Sequence, residues 1–180
     1  MTDALTREMM YGRGADLRIF ISSKMNETLN AERQIAAKVV KSMIGHRPWL
    51  WETDAAAGAA KSDDECVHIA STSDGLVLLL AVELSDITER EYRAAKRNGA
   101  QRYVMIKTPP DALDDRARAF VEQERTSNVT RNFASDKELR SHLRISLQES
   151  MVKASRESVI ARRKVEMGPT PSIAGGVDGG

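Results

Sequence analysis

Gly75-Leu-Val-Leu-Leu-Leu-Ala-Val82 decides the fold. These eight residues carry no charge. Their unbroken apolarity points to a strand covered on both faces, in the middle of a parallel sheet. Parallel strands need crossovers, and the flanking sequence supplies them. On the C-terminal side, DITEREYRAAKRNG (Asp86–Gly99) reads as a helix closed by Gly. RYVMIK (Arg102–Lys107) is then a strand that Pro109 and Pro110 halt, and Asp111–Glu124 a further helix. VTRNF (Val129–Phe133) reads as an edge strand, and Ser135 opens a long helix with the capping-box pattern SDKE.

On the N-terminal side, DLRIFISSKM (Asp16–Met25) is a short β-forming run that stops at two serines. From Asn26 to Ile44 apolar residues recur on one helical face, and Gly45 supplies the stop. HRPWLWE (His46–Glu52) reads as a second strand, with Trp49 and Trp51 on opposite faces and Glu52 at its end. TDAAAGAAKS reads as a loop, and SDDE at Ser62 as a capping box opening a short helix. Strand and helix alternate about five times, which predicts a three-layer α/β domain with a flavodoxin-like strand order. Ligands of such sheets bind at the carboxyl ends of the strands. The expected organisation is an arm over 1–15, the α/β domain over 16–150, and a helical extension with a Gly-rich tail over 151–180, the basic terminal helix being read as solvated.

Composition narrows the function classes. The 180 residues carry a net charge of +1, which provides no general field for nucleic acid. No apolar stretch reaches membrane-spanning length and the start has no apolar signal core, so a cytoplasmic location with no membrane partner is expected. The single cysteine, Cys66, agrees with a reducing compartment and reads as core rather than nucleophile. His46, His68 and His142 have no second ligand at metal-binding spacing, so no metal site is expected. Neither a phosphate loop nor a dinucleotide fingerprint is present, and no cofactor is expected.

What remains is a set of acids and hydroxyls near strand ends: Ser22, Ser23, Glu52, Asp74, Glu83, Ser85, Glu89 and Glu91. Glu52 is a candidate for a ribose hydroxyl, Asp74 reads as a turn residue, and Glu32 with Arg33 as an ion pair. FISS (Phe20–Ser23), Ala31-Glu-Arg33, Pro48-x-x-x-Glu52, Ser73-Asp74 and TEREY (Thr88–Tyr92) occur in one order. That order resembles a TIR-like family of bacterial domains catalogued as a domain of unknown function, often found at the front of multidomain ATPase receptors.

The resemblance implies a flavodoxin-like TIR fold and one of two functions. Some TIR domains cleave the nicotinamide–ribose bond of NAD+ as defence effectors. Others only self-associate as signalling adaptors, and either way a homo-oligomer is implied. In catalytic members a glutamate early in the helix after the central strand is essential, and Glu91 matches it. NAD+ would then be a substrate, with Ser22, Ser23, Glu52 and Ser85 as candidate binding residues. The chain departs from the catalytic pattern in having Ile87 and Thr88 where an aromatic residue and often a cysteine precede the glutamate.

The chemistry supports Glu91 separately, because cleaving an N-glycosidic bond develops positive charge on the ribose, which a carboxylate stabilises or attacks. Thr88-x-x-Glu91 is also a capping box, so a purely structural role stands beside the catalytic one. Asp86 with Glu89 offers an earlier helix start that would free Glu91.

Overall fold

A computed structural model of the chain describes residues 16–25, 27–55, 62–109 and 112–166. The N-terminal arm, the centre of the TDAAAGAAKS loop and the Gly-rich tail lie outside the described residues. By compactness the chain divides into Met1–Ser146 and Leu147–Gly180.

The first unit holds β1 (Leu17–Ser22), α1 (Asn30–Ser42), β2 (His46–Trp49), the one-turn α2 (Trp51–Asp54), α3 (Ser62–Ser71) and β3 (Gly75–Leu80). They are followed by α4 (Asp86–Arg97), β4 (Gln101–Lys107), α5 (Asp115–Arg125) and β5 (Thr130–Phe133). The last helix, α6 (Asp136–Glu166), begins in this unit, where it buries Leu139 and Leu143, and runs on into the second.

The five strands lie in the order β2-β1-β3-β4-β5, all parallel, which is the expected flavodoxin-like arrangement. β3 is the middle strand and all six of its residues are buried. Right-handed crossovers fix the layers: the chain moves one way from β1 to β2 and the other way from β2 through β3 to β5, so α1 covers one face and α3, α4 and α5 the other. The pleat sorts the core accordingly. Phe20, Leu76, Leu78, Leu80, Val104 and Ile106 pack with Cys66, Ala70, Tyr92, Ala95 and Phe120, while Ile19, Ile21, Val77, Leu79 and Met105 alternate with them and face the α1 side.

Local chemistry places the boundaries. α1 ends at Ser42 with Met43 as an extended cap, so Gly45 does not stop the helix as expected; at φ +76° it closes the turn into β2, in which the His46 amide donates to the Met43 carbonyl at 3.2 Å. Gly75 opens β3 because a β-carbon there would stand 2.7 Å from Ile19 Cδ1 and 3.3 Å from the Gln101 carbonyl. Gly75→Ala is therefore expected to lower unfolding free energy by ~1–3 kcal/mol, the cost of forcing Ile19 aside in a packed core. Urea titration measures this, and an unchanged midpoint would show that Ile19 moves freely.

Two expectations fail at β2. The strand stops at Trp49, and Trp51 and Glu52 belong to a one-turn helix, whose start Asp54 marks by accepting a 2.8 Å hydrogen bond from the Leu50 amide. The expected opposite facing of Trp49 and Trp51 also fails, because residues two apart share a face even in a strand and Trp51 here has left the strand. Trp49 stacks on Phe20 at 5.0 Å, and Trp51 tilts against Trp49 at 6.4 Å instead of pointing away from it. The helix read over 111–124 begins at Asp115, capped by Asp114, which accepts from the Ala117 amide at 2.7 Å. At the start of α6 Ser135 accepts from the Glu138 amide, but Glu138 reaches the Ala134 amide rather than that of Ser135. The Ser62 side chain, and with it the third capping box, lies outside the described residues.

Candidate functional site

The first question is what caps α4. Ser85 is the N-cap: its hydroxyl accepts from the Thr88 amide at 3.3 Å and bonds the Thr88 hydroxyl at 2.8 Å. The helix thus starts with Asp86, as the earlier of the two sequence alternatives has it, although Ser85 and not Asp86 supplies the cap. Ser85, one of the candidate binding residues, accordingly serves as the helix cap. Glu91 lies a turn further in and faces the sheet.

There its carboxylate accepts a 2.5 Å hydrogen bond from the Ser22 hydroxyl at the carboxyl end of β1. A second donor is the Cys66 thiol, from α3, which packs beside α4. Glu91 is 6% exposed and Ser22 1%. Burial pushes the Glu91 carboxyl up to about 7; the Ser22 and Cys66 hydrogen bonds pull it down, and the negative charge of Asp63 adds to the rise. Burial pushes the Cys66 thiol up to about 12, with Glu91 adding to it, so the thiol stays protonated and donates. Cys66 is core, as expected, but its contact with Glu91 was not read from the sequence. Helical spacing assigns it to an apolar face without saying that α4 covers that face.

Ser23 does not join this cluster. Successive strand residues point to opposite faces, so Ser22 turns to α4 and Ser23 to α1. Ser23 accepts from Arg33 at 2.9 Å, and the same guanidinium donates to Glu52 at 2.6 Å, to Asn30, and to the Lys24 carbonyl at 3.3 Å. Arg33 is 4% exposed and does not pair with Glu32, which bonds Lys107 instead at 2.6 Å. Adjacent helical residues diverge by about 100°, which is why the expected Glu32–Arg33 pair does not form. Ser23 and Glu52 are thus committed to Arg33, on the far side of β1 from Glu91. This cluster rivets the loop after β1 to α1 and α2.

The remaining acids are placed as follows. Asp74, read from sequence as a turn residue, sits at the amino end of β3 and accepts from the Arg18 amide at 2.8 Å, a contact that ties β3 to the start of β1. Glu89 is held by Arg93 at 2.5 Å and Arg116 at 2.6 Å, and these arginines keep its carboxyl below the usual range. Glu83 pairs with Lys24. Among the described residues no group of three or more His, Cys, Asp or Glu is arranged to hold a metal ion, and no helix is long and apolar enough to cross a membrane.

A five-stranded parallel sheet in flavodoxin order, with a buried carboxylate at the carboxyl end of β1, defines a flavodoxin-like α/β domain. Residues 18–148 match the family model described as domain of unknown function DUF4062, and the chain belongs to that family. No curated protein matches it.

Among solved structures it is similar to the metal-soaked Flv1 flavodiiron core of Synechocystis sp. PCC6803, at 11% identity and a TM-score of 0.50, over 85% of this chain and 41% of that one. This likeness shows the fold alone, and the chain spans about two fifths of the length of that core. A flavodoxin-like domain of a Synechococcus sp. protein aligns at 10% identity and a TM-score of 0.46, over 75% of this chain and 99% of that one. The TIR domains of the activated Roq1 resistosome recognizing the pathogen effector XopQ align at 12% identity and 0.44, over 73% and 83%.

Proposed function

We propose that this domain is a TIR-like nucleotide glycohydrolase that cleaves the nicotinamide–ribose bond of NAD+, with Glu91 as its essential carboxylate. One observation carries the proposal: Glu91, which sequence alone leaves free to be a helix cap, is released from that duty by Ser85 and turned to Ser22 at the strand ends. A carboxylate there stabilises positive charge developing on the ribose, and nicotinamide leaves neutral, so no strong acid is needed. Ser22 orients the carboxylate and Cys66 holds its other side. Ser23, Glu52 and Ser85, each already bonded within the protein, are left out of substrate contact.

The test is nicotinamide release from NAD+ by concentrated protein. Only the ionised carboxylate stabilises the cationic ribose, so the rate is expected to rise with pH through about 7, where Glu91 loses its proton. No release at any concentration, or a rate flat between pH 6 and 8, overturns the proposal.

A second reading, a non-catalytic TIR-like module that acts by self-association, is favoured by the 6% exposure of Glu91, which leaves little carboxylate surface for a substrate. It requires oligomers without turnover, and sedimentation beside the release assay separates the two.

A further inference from the structure

The loops leaving β1 and β3 face each other across a groove that borders the Arg33 cluster at Lys24. Lys24, Thr28 and Leu29 line one side, and Ala81, Val82 and Glu83 the other, around a volume of about 160 Å³. β1 and β3 are the neighbours between which the chain reverses its direction across the sheet. Their loops diverge, and a crevice opens at their carboxyl ends.

The groove is built on a fixed floor and a movable charge. Leu29 and Ala81 are buried, at 2% and 9% exposure. Lys24 spans to Glu83 in an ion pair whose side chains are 33% and 46% exposed. An ion pair so exposed contributes little, so a stronger anion displaces Glu83 from Lys24 at small cost. Arg33 meanwhile holds the Ser23 hydroxyl at 2.9 Å and the Lys24 carbonyl at 3.3 Å, so the backbone beneath Lys24 is set before any ligand arrives. The volume is below the ~300–1,000 Å³ that encloses a whole drug-sized ligand, and suits a single compact group. A lysine, a threonine hydroxyl and apolar walls match a phosphate with the edge of its sugar.

We propose that this groove is a phosphate subsite, where the phosphate of a nucleotide replaces Glu83 on Lys24. Glu83 is then a built-in competitor that keeps Lys24 paired until a phosphate arrives. The inference rests on the nucleotide reading of the Glu91 site and adds the group by which the nucleotide is held.

The experiment titrates the full chain with ADP, adenosine and inorganic phosphate, following backbone amide signals. None of the three carries a nicotinamide–ribose bond, so binding is read apart from turnover. ADP is expected to shift the Lys24, Thr28 and Val82 signals and to bind about tenfold more tightly than adenosine. Lys24→Met should remove that difference, and Glu83→Gln should tighten ADP by about threefold. Both side chains are partly exposed, and each variant's amide spectrum reports whether it is folded.

Equal affinity for ADP and adenosine, no ADP binding at all, or weaker ADP binding by Glu83→Gln overturns the subsite. Inorganic phosphate binding as tightly as ADP overturns the nucleotide. If ADP discrimination stands while nicotinamide release is absent, only the glycohydrolase reading falls; release without discrimination removes only the groove.

Discussion

Glu91→Gln is expected to abolish nicotinamide release and, at pH 8, to make the protein more stable than the wild type. Gln keeps an oxygen to accept from Ser22 but carries no charge to stabilise the ribose cation, so a loss of roughly 100-fold or more in rate is expected. The stability change follows from linkage. The carboxyl's pKa is about 7 when folded against an ordinary value of 4.5, so between these values the folded state holds a proton that the unfolded chain has lost.

A raised carboxyl therefore contributes stability that is fully present below 4.5 and is lost as pH rises through 7. The difference is about 3 kcal/mol. Gln has no proton to lose, so urea midpoints of the two proteins should converge near pH 4 and separate in favour of Gln by pH 8. A variant less stable than the wild type at both pH values would show that Glu91 is held for its hydrogen bonds, and that its charge costs nothing.

Glu124→Ala is expected to act the other way, lowering stability by about 3–5 kcal/mol at pH 7, as breaking one side of a buried ion pair does. Glu124 is 3% exposed on α5 and joins three elements: it accepts from Tyr92 on α4 at 2.7 Å, from Lys96 at 2.7 Å, and from Arg102 on β4 at 2.9 Å. Without it the Tyr92 hydroxyl, on a fully buried ring packed edge-on against Phe120, loses its acceptor, and Arg102, over that ring at 5.7 Å, loses its counter-charge.

Burial pushes the Glu124 carboxyl up, but the bonds from Lys96 and Tyr92 and the charge of Arg102 more than offset it, so its pKa lies below the ordinary value. Its contribution is then present above 4.5 and lost as pH falls through the folded value. The gap between wild type and Glu124→Ala in urea should narrow on acidification below pH 4, and a gap independent of pH would assign the loss to packing. Arg102 stands at the amino-terminal end of β4, away from Glu91. Release per folded molecule should therefore be unchanged in Glu124→Ala, in contrast to Glu91→Gln.

The two carboxylates differ in how far the sequence discloses them. Glu91 stands out because it lies in the helix after an unmistakable central strand. Glu124 offers no such signal, since its partners come from 22 to 32 residues away and no local pattern links Tyr92, Lys96 and Arg102 to it. The same limit hid the Arg33 cluster, whose guanidinium reaches 19 residues to Glu52. The strand read through Glu52 ended early because Asp54 reaches back to the Leu50 amide and starts a helical turn, an event that β-forming Trp residues mask.

The amino-acid sequence by itself determined the layers of this domain: an apolar β3, helices at regular spacing between strands and glycines at the turns leave little besides a parallel sheet in flavodoxin order. These are short-range properties, set by periodicity and by which backbone angles a residue tolerates. Only the tertiary structure decided what the polar residues at the strand ends do. It separated Ser22 from Ser23 across the sheet, gave the cap of α4 to Ser85, and brought Cys66 and Ser22 to Glu91. Those outcomes depend on which face of one element packs on another, and a buried carboxylate acquires its properties from neighbours that are distant in the chain.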